Sequence, residues 1–206
     1  MNDLKAELAE FKRRRICEEA CHLFFSHGYE GTTIDAIAER LSVTKPFIYS
    51  YYKNKGEILF DIAKVGITLS SACIDSILRS NASARDQLKM VVDQVTRVIF
   101  DNQEYIVVYE REEKNLDQQQ ARQVRKLRSD FDHKLASILE QGNVDGSFKI
   151  EDPALTSITI GGMMTWVSLW YHPMGKWSEA EITAHLIKSV ERIVFAQHPP
   201  ANSRTE

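Results

Sequence analysis

Apolar residues recur at steps of three and four along nearly the whole chain, the spacing that lines one face of an α-helix. The first long segment carries Phe11, Ile16, Ala20, Leu23 and Phe24 in this rhythm. It stops at His27-Gly28, where glycine accepts the left-handed backbone that closes a helix. A short helix is predicted from Thr33 to Leu41, with Ile34, Ile37, Ala38 and Leu41 on one side. Thr32 and Thr33 both qualify as its N-cap, because a threonine hydroxyl accepts an orphan N–H of the first turn. Ser42-Val43 breaks the pattern, and Thr44 opens another short helix with Pro46 in its first turn, where a missing N–H costs nothing.

Asn54 reads as the N-cap of a helix running to about Ser80, and residues 81–84 as a turn. Further helices are expected from Asp86 to Asp101, Gln103 to Glu113, and Asp117 to Gln141, the last closed by Gly142-Asn143. Residues 142–152 form the longest loop. Asp152-Pro153 then opens a helix reaching Tyr171, and Ser178 with Glu181 forms a capping box for a final helix ending near Gln197. The polar tail 198–206 is expected to fray. The sum is an all-α chain of about nine helices.

Composition agrees with this pattern. Nine glycines and five prolines in 206 residues favour helices over turn-rich β architecture. The net charge of −3 lends nothing to a nucleic-acid partner, so any such case rests on where the charges sit. Cys17 and Cys21 lie one helical turn apart and His22 follows, but no second ligand pair stands at zinc spacing. With Cys73 they read as small buried hydrophobes, their thiols reduced as in a cytoplasmic protein, and no metal or cofactor is expected. Residues 1–15 lack the apolar run of a secretory signal. The stretch Pro153 to Gly175 has no charge, yet its Ser, Thr, His and Pro content fits a buried helix better than a membrane span of about 20 apolar residues. Without a Gly-rich phosphate loop, nucleophile elbow or His-rich metal motif, the chain does not read as an enzyme.

Three helical pieces within the first 56 residues are the parts of a helix-turn-helix. From Arg40 to Gly56 the chain carries Arg40, Lys45, Lys53 and Lys55 and no acid, and Lys12-Arg13-Arg14-Arg15 adds a second basic cluster. Basic groups gathered on two segments can pair with phosphates even in a neutral domain. The segment after the turn is rich in rings. Helical spacing turns Ile48 and Tyr52 inward with Val43, leaving Lys45, Phe47, Tyr49 and Tyr51 outward. Tyrosine hydroxyls reach phosphates and a phenyl ring packs on a thymine methyl, although packing within the small domain is the alternative use of Phe47 and Tyr49.

The stretch GYEGTTIDAIAERLSVTKPFIYSYYKNKGEIL closely resembles the DNA-binding domain of the TetR family of repressors. The matching positions are Gly28, Tyr29, Thr32, Thr33, Ile37, Ala38, Tyr49, Tyr52 and Lys55, while Ser42 replaces the glycine usual in the turn. The resemblance implies that Thr33 binds a phosphate and that Lys55 clamps another. Thr44, Lys45, Pro46, Phe47, Tyr49 and Tyr51 would face the major groove and its flanking phosphates. It also implies a homodimer on double-stranded operator DNA, with half-sites roughly 34–36 Å apart. The domains would be 1–54 for DNA and 55–206 for ligand binding and dimerisation.

Two sequence features fit dimerisation: the charge-free Pro153 to Tyr171, and a final helix with Ile182, Leu186, Val190, Ile193 and Val194 at helical spacing. Gly161-Gly162 inside the first of these costs roughly 1 kcal/mol per glycine, which close helix approach or a ligand would offset. The segment GGMMTWVSLWYHPMGKWS further resembles the TetR subgroup of fatty-acid and steroid catabolism regulators, through Trp166, Trp170, Tyr171, Pro173, Gly175 and Ser178. That implies a small hydrophobic ligand, an acyl-CoA thioester by preference. Leu69, Cys73, Val95, Tyr105, Tyr109, Met163 and Trp166 would suit its acyl chain and Arg125 its CoA, although core packing explains most of these equally well. A drug-like ligand, or an architectural DNA-binding protein without a ligand, are the alternatives. The acidic run Glu110 to Glu113 with Asp117 is expected on an exposed face, and Arg111, Arg122, Arg125 and Arg128 either serve a CoA ligand or form a solvated helix face.

Overall fold

The structure, a computed structural model, describes residues 2–195, and within them finds nine α-helices and no strand. These are α1 (Asn2–His27), α2 (Ile34–Arg40), α3 (Lys45–Tyr49), α4 (Lys55–Leu78), α5 (Ala84–Asp101), α6 (Gln103–Glu112), α7 (Gln118–Val144), α8 (Pro153–Trp170) and α9 (Glu179–Phe195). The tail 198–206 and the end of the last helix at Gln197 lie outside the described residues.

Most boundaries follow the local chemistry foreseen for them. Gly28 stands at φ +77 and its N–H bonds to Phe24 O, closing α1. Thr33 caps α2 by accepting from Ala36 N, whereas the Thr32 hydroxyl turns inward to Leu23 O and Gly28 O. Asn54 Oδ1 accepts from Glu57 N at the start of α4, and Asp152 Oδ1 accepts from Leu155 N at the start of α8. Ser178 and Glu181 form the reciprocal box before α9.

Two boundaries move. Helix α5 begins at Ala84 rather than Asp86, with the Ser83 hydroxyl accepting from Asp86 N. Helix α7 runs through Gly142 to Val144, and the left-handed residue is Gly146 at φ +79. Gly142 has a different reason to be glycine. A Cβ there would overlap the Phe148 ring, which occupies its place. The following loop is tied down by Asn143, whose side chain bonds both the N–H and the carbonyl of Ile150.

The chain divides into two compact units. One joins the chain up to Leu69 with Ile99–Arg128. Its core gathers Ile16, Ala20 and Phe24 of α1, Ile37 of α2, Ile48 of α3, Ile58 and Ile62 of α4, Val108 of α6 and Val124 of α7. The helix-turn-helix therefore shares one core with α6 and the start of α7. Glu112 belongs to this seam, accepting from Tyr29 N and Asn115 Nδ2, and Glu110 pairs with Arg128 at 2.8 Å. The acidic run is thus partly structural rather than only a solvated face.

The other unit joins Ser70–Val98 with the described chain from Ser129. In it α9 buries Ile182, Leu186, Val190 and Val194. Four positions of the apolar stripe of the last helix thus pack into the chain's own core, while Ile193 stays partly exposed. Helix α8 differs. It buries Ile160, Met164 and Val167 on one side, yet leaves Leu155, Ile158, Trp166, Leu169 and Trp170 exposed. An all-round apolar helix covered on one side explains the charge-free stretch. Its glycines meet no close neighbour within the chain: a Cβ on Gly161 would make an ordinary 3.6 Å contact, and one on Gly162 would meet open space.

Candidate nucleic-acid interface

Helices α2 and α3 are joined by a turn that serine holds in a backbone region glycine prefers. Ser42 has φ +54, its N–H bonds Glu39 O, and Val43 N–H bonds Ala38 O. This is the crossed pair of bonds that closes a helix with one left-handed residue. The departure from glycine at this position leaves the turn intact.

Beyond the turn, Ile48 and Tyr52 are buried and Phe47 and Tyr51 are partly covered, their ring centroids 5.2 Å apart. Thr44, Lys45, Pro46 and Tyr49 form the exposed side of α3, with Tyr49 47% exposed. The Thr44 hydroxyl makes no capping bond to its own helix. Lys45 Nζ lies 2.8 Å from Asp35 Oδ2, and this hydrogen bond raises the ammonium above its ordinary value. Both partners are on the surface, where such a pair is weak and readily exchanged for a phosphate. The exposed edge therefore carries two hydroxyls, one cation and no obstructing bulk, which suits contact with base edges and phosphates.

Lys55 behaves differently from Lys45. Its Nζ donates to Tyr29 O at 2.6 Å and Thr32 O at 3.0 Å, and sits 4.1 Å above the Tyr29 ring. It fastens the loop between α1 and α2 to the start of α4.

The basic run on α1 also divides. Arg14 and Arg15 pair with Glu18, and Arg15 also with Glu19. Lys12 lies 5.8 Å from the Phe47 ring of α3. Arg13 turns inward: Nε donates to Asp61 Oδ2 at 2.7 Å, Nη1 donates to Tyr51 O at 2.8 Å, and the guanidinium stacks 4.1 Å from the Tyr52 ring. Asp61 also accepts from Tyr52 Oη at 2.9 Å and pairs with Lys64 at 2.8 Å. Burial alone would raise the Asp61 carboxyl, but hydrogen bonds from Lys64 and Arg13 outweigh it and hold it below the ordinary range. Burial pushes the Tyr52 phenol up. Sequence reasoning missed Asp61, because nothing near it marks a partner 48 residues earlier.

The residues expected around a ligand fall in both units. In the first, Tyr105 and Tyr109 pack against the core, the Tyr109 hydroxyl accepting from Arg128, while Leu69 and Arg125 face solvent. Arg128, rather than Arg125, is the arginine that the fold turns inward. In the second, Val95 is buried, Cys73 and Met163 are only half-buried, so Cys73 is not the core thiol expected, and Trp166 is 63% exposed on the open face of α8. Burial pushes Cys17 up to about 12 and raises Cys73 less, so these thiols stay protonated. Among the described residues, no group of His, Cys, Asp or Glu could hold a metal ion and no helix is long and apolar enough to cross a membrane.

Residues 16–62 match the profile described as bacterial regulatory proteins, tetR family, and residues 81–194 that of the tetracyclin repressor-like C-terminal domain. The chain belongs to the TetR family. Two solved structures carry the same all-α TetR fold. PfmR, a TetR family transcriptional regulator from Thermus thermophilus, is 25% identical with a TM-score of 0.79, over 87% of this chain and 97% of PfmR. AibR, solved in complex with isovaleryl coenzyme A and operator DNA, is 22% identical with a TM-score of 0.78, over 89% of this chain and 99% of AibR. In sequence the chain is 21% identical over 138 residues to the fatty acid metabolism regulator protein of Bacillus subtilis (strain 168), covering 67% of this chain and 71% of that protein. This TetR chain is thus a transcriptional regulator with an N-terminal helix-turn-helix and a helical C-terminal domain.

Proposed function

We propose that this regulator is a homodimeric repressor that binds operator DNA through residues 1–54 and is released by an acyl-CoA thioester taken up by residues 55–206. The observation that carries the DNA-binding part is the open edge of α3, where Thr44, Lys45, Pro46 and Tyr49 stand exposed on a helix whose other side is sunk in a core. Phe47 and Tyr51 flank that edge, and Thr33 stands at the start of the supporting helix. Lys55 supports the interface by holding the α1–α2 loop, besides any phosphate it meets.

The dimer is supported by the exposed apolar face of α8, since a soluble chain rarely leaves several large rings and leucines uncovered together. Gly162 lies on that helix with nothing within 4 Å, leaving room for a second backbone to approach. A thioester ligand is supported by AibR, solved with isovaleryl coenzyme A, and by a relative named for fatty acid metabolism. The deciding experiment selects a duplex from a random-sequence pool with the purified chain. Release of that duplex is then titrated with acyl-CoAs of increasing chain length and with the matching free acids. Release by thioesters and not by acids is the expected result. Release by acids or neutral hydrophobes alone would replace the thioester with another hydrophobic ligand, and release by nothing in the panel would end the ligand proposal.

A further inference from the structure

We propose that Arg13, Tyr52 and Asp61 form a joint that fixes the angle of α3, making Arg13 and Asp61 positioning residues for operator selection; this rests on the DNA-binding reading above. A five-residue helix is too short to hold an axis of its own, because so few internal bonds barely repay nucleation. Its direction is imposed from both ends. At the entry, the left-handed Ser42 and the Val43 bond to Ala38 fix the turn. At the exit, backbone carbonyls of the last turn lack intrahelical partners.

Arg13 meets that exit from α1. One nitrogen takes the Tyr51 carbonyl and another takes Asp61 of α4, while the flat face of the guanidinium lies on the Tyr52 ring. Tyr52 closes the circuit, its hydroxyl donating to Asp61 Oδ2 and also lying 3.2 Å from Arg13 O. Three elements thus converge on one planar cation, which carries donors in a fixed fork. Charge-assisted bonds of this kind are shorter and more directional than neutral ones. Lysine, a flexible point charge with three rotatable donors, cannot reproduce the planar fork that spans these two acceptors with its flat face on the ring. Arg13 is consequently a cation in the basic run that does not reach for phosphate. A small tilt of α3 displaces Lys45 and Tyr49 from base edges but leaves phosphate contacts spread over the rest of the interface.

The joint predicts a loss of discrimination rather than a loss of charge. Arg13→Lys keeps the cation, and Tyr52→Phe keeps the ring while removing only the hydroxyl. Each is compared with wild type by anisotropy on the selected duplex and on a shuffled duplex of equal length, using protein corrected for active fraction. Each variant is expected to lower the ratio of the two affinities about ten-fold, the size of losing one good base contact. The salt dependence stays unchanged, because no phosphate pairing is removed. The double variant should lose less than the product of the two, as coupled residues do. Arg14→Lys, whose side chain pairs only along its own helix, should leave the ratio alone.

An unchanged ratio in both variants overturns the joint, even where melting temperature falls, since that marks a purely structural role. Equal weakening on both duplexes with a shallower salt slope also overturns it and makes Arg13 a phosphate contact. Should Arg13→Lys fail to fold, Tyr52→Phe alone decides. If the wild-type chain enriches no sequence at all, the DNA-binding reading fails first and the joint falls with it.

Discussion

Lys45 and Lys55 look alike in the sequence, two lysines flanking one short helix, yet their surroundings give them different tasks. Lys45 is paired only with a surface aspartate, so Lys45→Ala and Tyr49→Ala should each weaken operator binding about ten-fold and shift base preference. The urea midpoint should stay at the wild-type value, as for other surface changes. Lys55→Ala instead strips two backbone carbonyls of their donor, and should cost about 1–3 kcal/mol in the same titration while weakening all duplexes alike. Asp61 adds a pH signature. Its carboxyl is held below the ordinary value, so its stabilisation is present above about pH 3.9 and is lost as pH falls through the depressed folded value. The stability gap between wild type and Asp61→Asn should therefore shrink in acid; a constant gap from about pH 6 to about pH 3 would contradict the role given to the ion pairs. The inward helical positions Ile48 and Tyr52 were legible from spacing alone. The fates of Arg13, Arg14 and Arg15 were not, because what separates them is an acid on α4 that no local pattern reveals.

At the scale of elements, the sequence announced caps better than lengths. Asn54, Asp152 and Ser178 act within three residues of themselves, so their signals survive without tertiary knowledge. Gly142 illustrates the opposite case, since its function depends on the Phe148 ring, which folds back over α7. Gly142→Ala should therefore destabilise the chain despite alanine's better helix propensity, by about 1–3 kcal/mol of overpacking. Combining it with Phe148→Ala should lose less than the two single changes together; additive losses measured by thermal denaturation would show that the contact is not the cause. Ser42→Gly should go the other way, because a left-handed backbone costs an L-residue roughly 1–2 kcal/mol that glycine avoids.

At the scale of the molecule, α8 presents a broad exposed apolar face, and the expectation that Trp166 lines a ligand site competes with its place there. Trp166→Glu should convert the proposed dimer to monomer in sedimentation velocity and abolish tight operator binding. A variant that stays dimeric but no longer responds to any acyl-CoA would instead return Trp166 to the ligand. Fold class and the helix-turn-helix were readable because both rest on periodicity and caps. The packing of α6 and the start of α7 into the helix-turn-helix core was not, since it joins segments far apart in the chain, as the bond from Tyr29 to Glu112 shows. That shared core limits how the regulator can be rebuilt. A chimera that exchanges only residues 1–54 for those of another regulator would graft a foreign surface onto Val108 and Val124, and is expected to express poorly. Exchanging operator specificity calls for repainting the open edge of α3 in place, residue by residue, on the chain's own foundation.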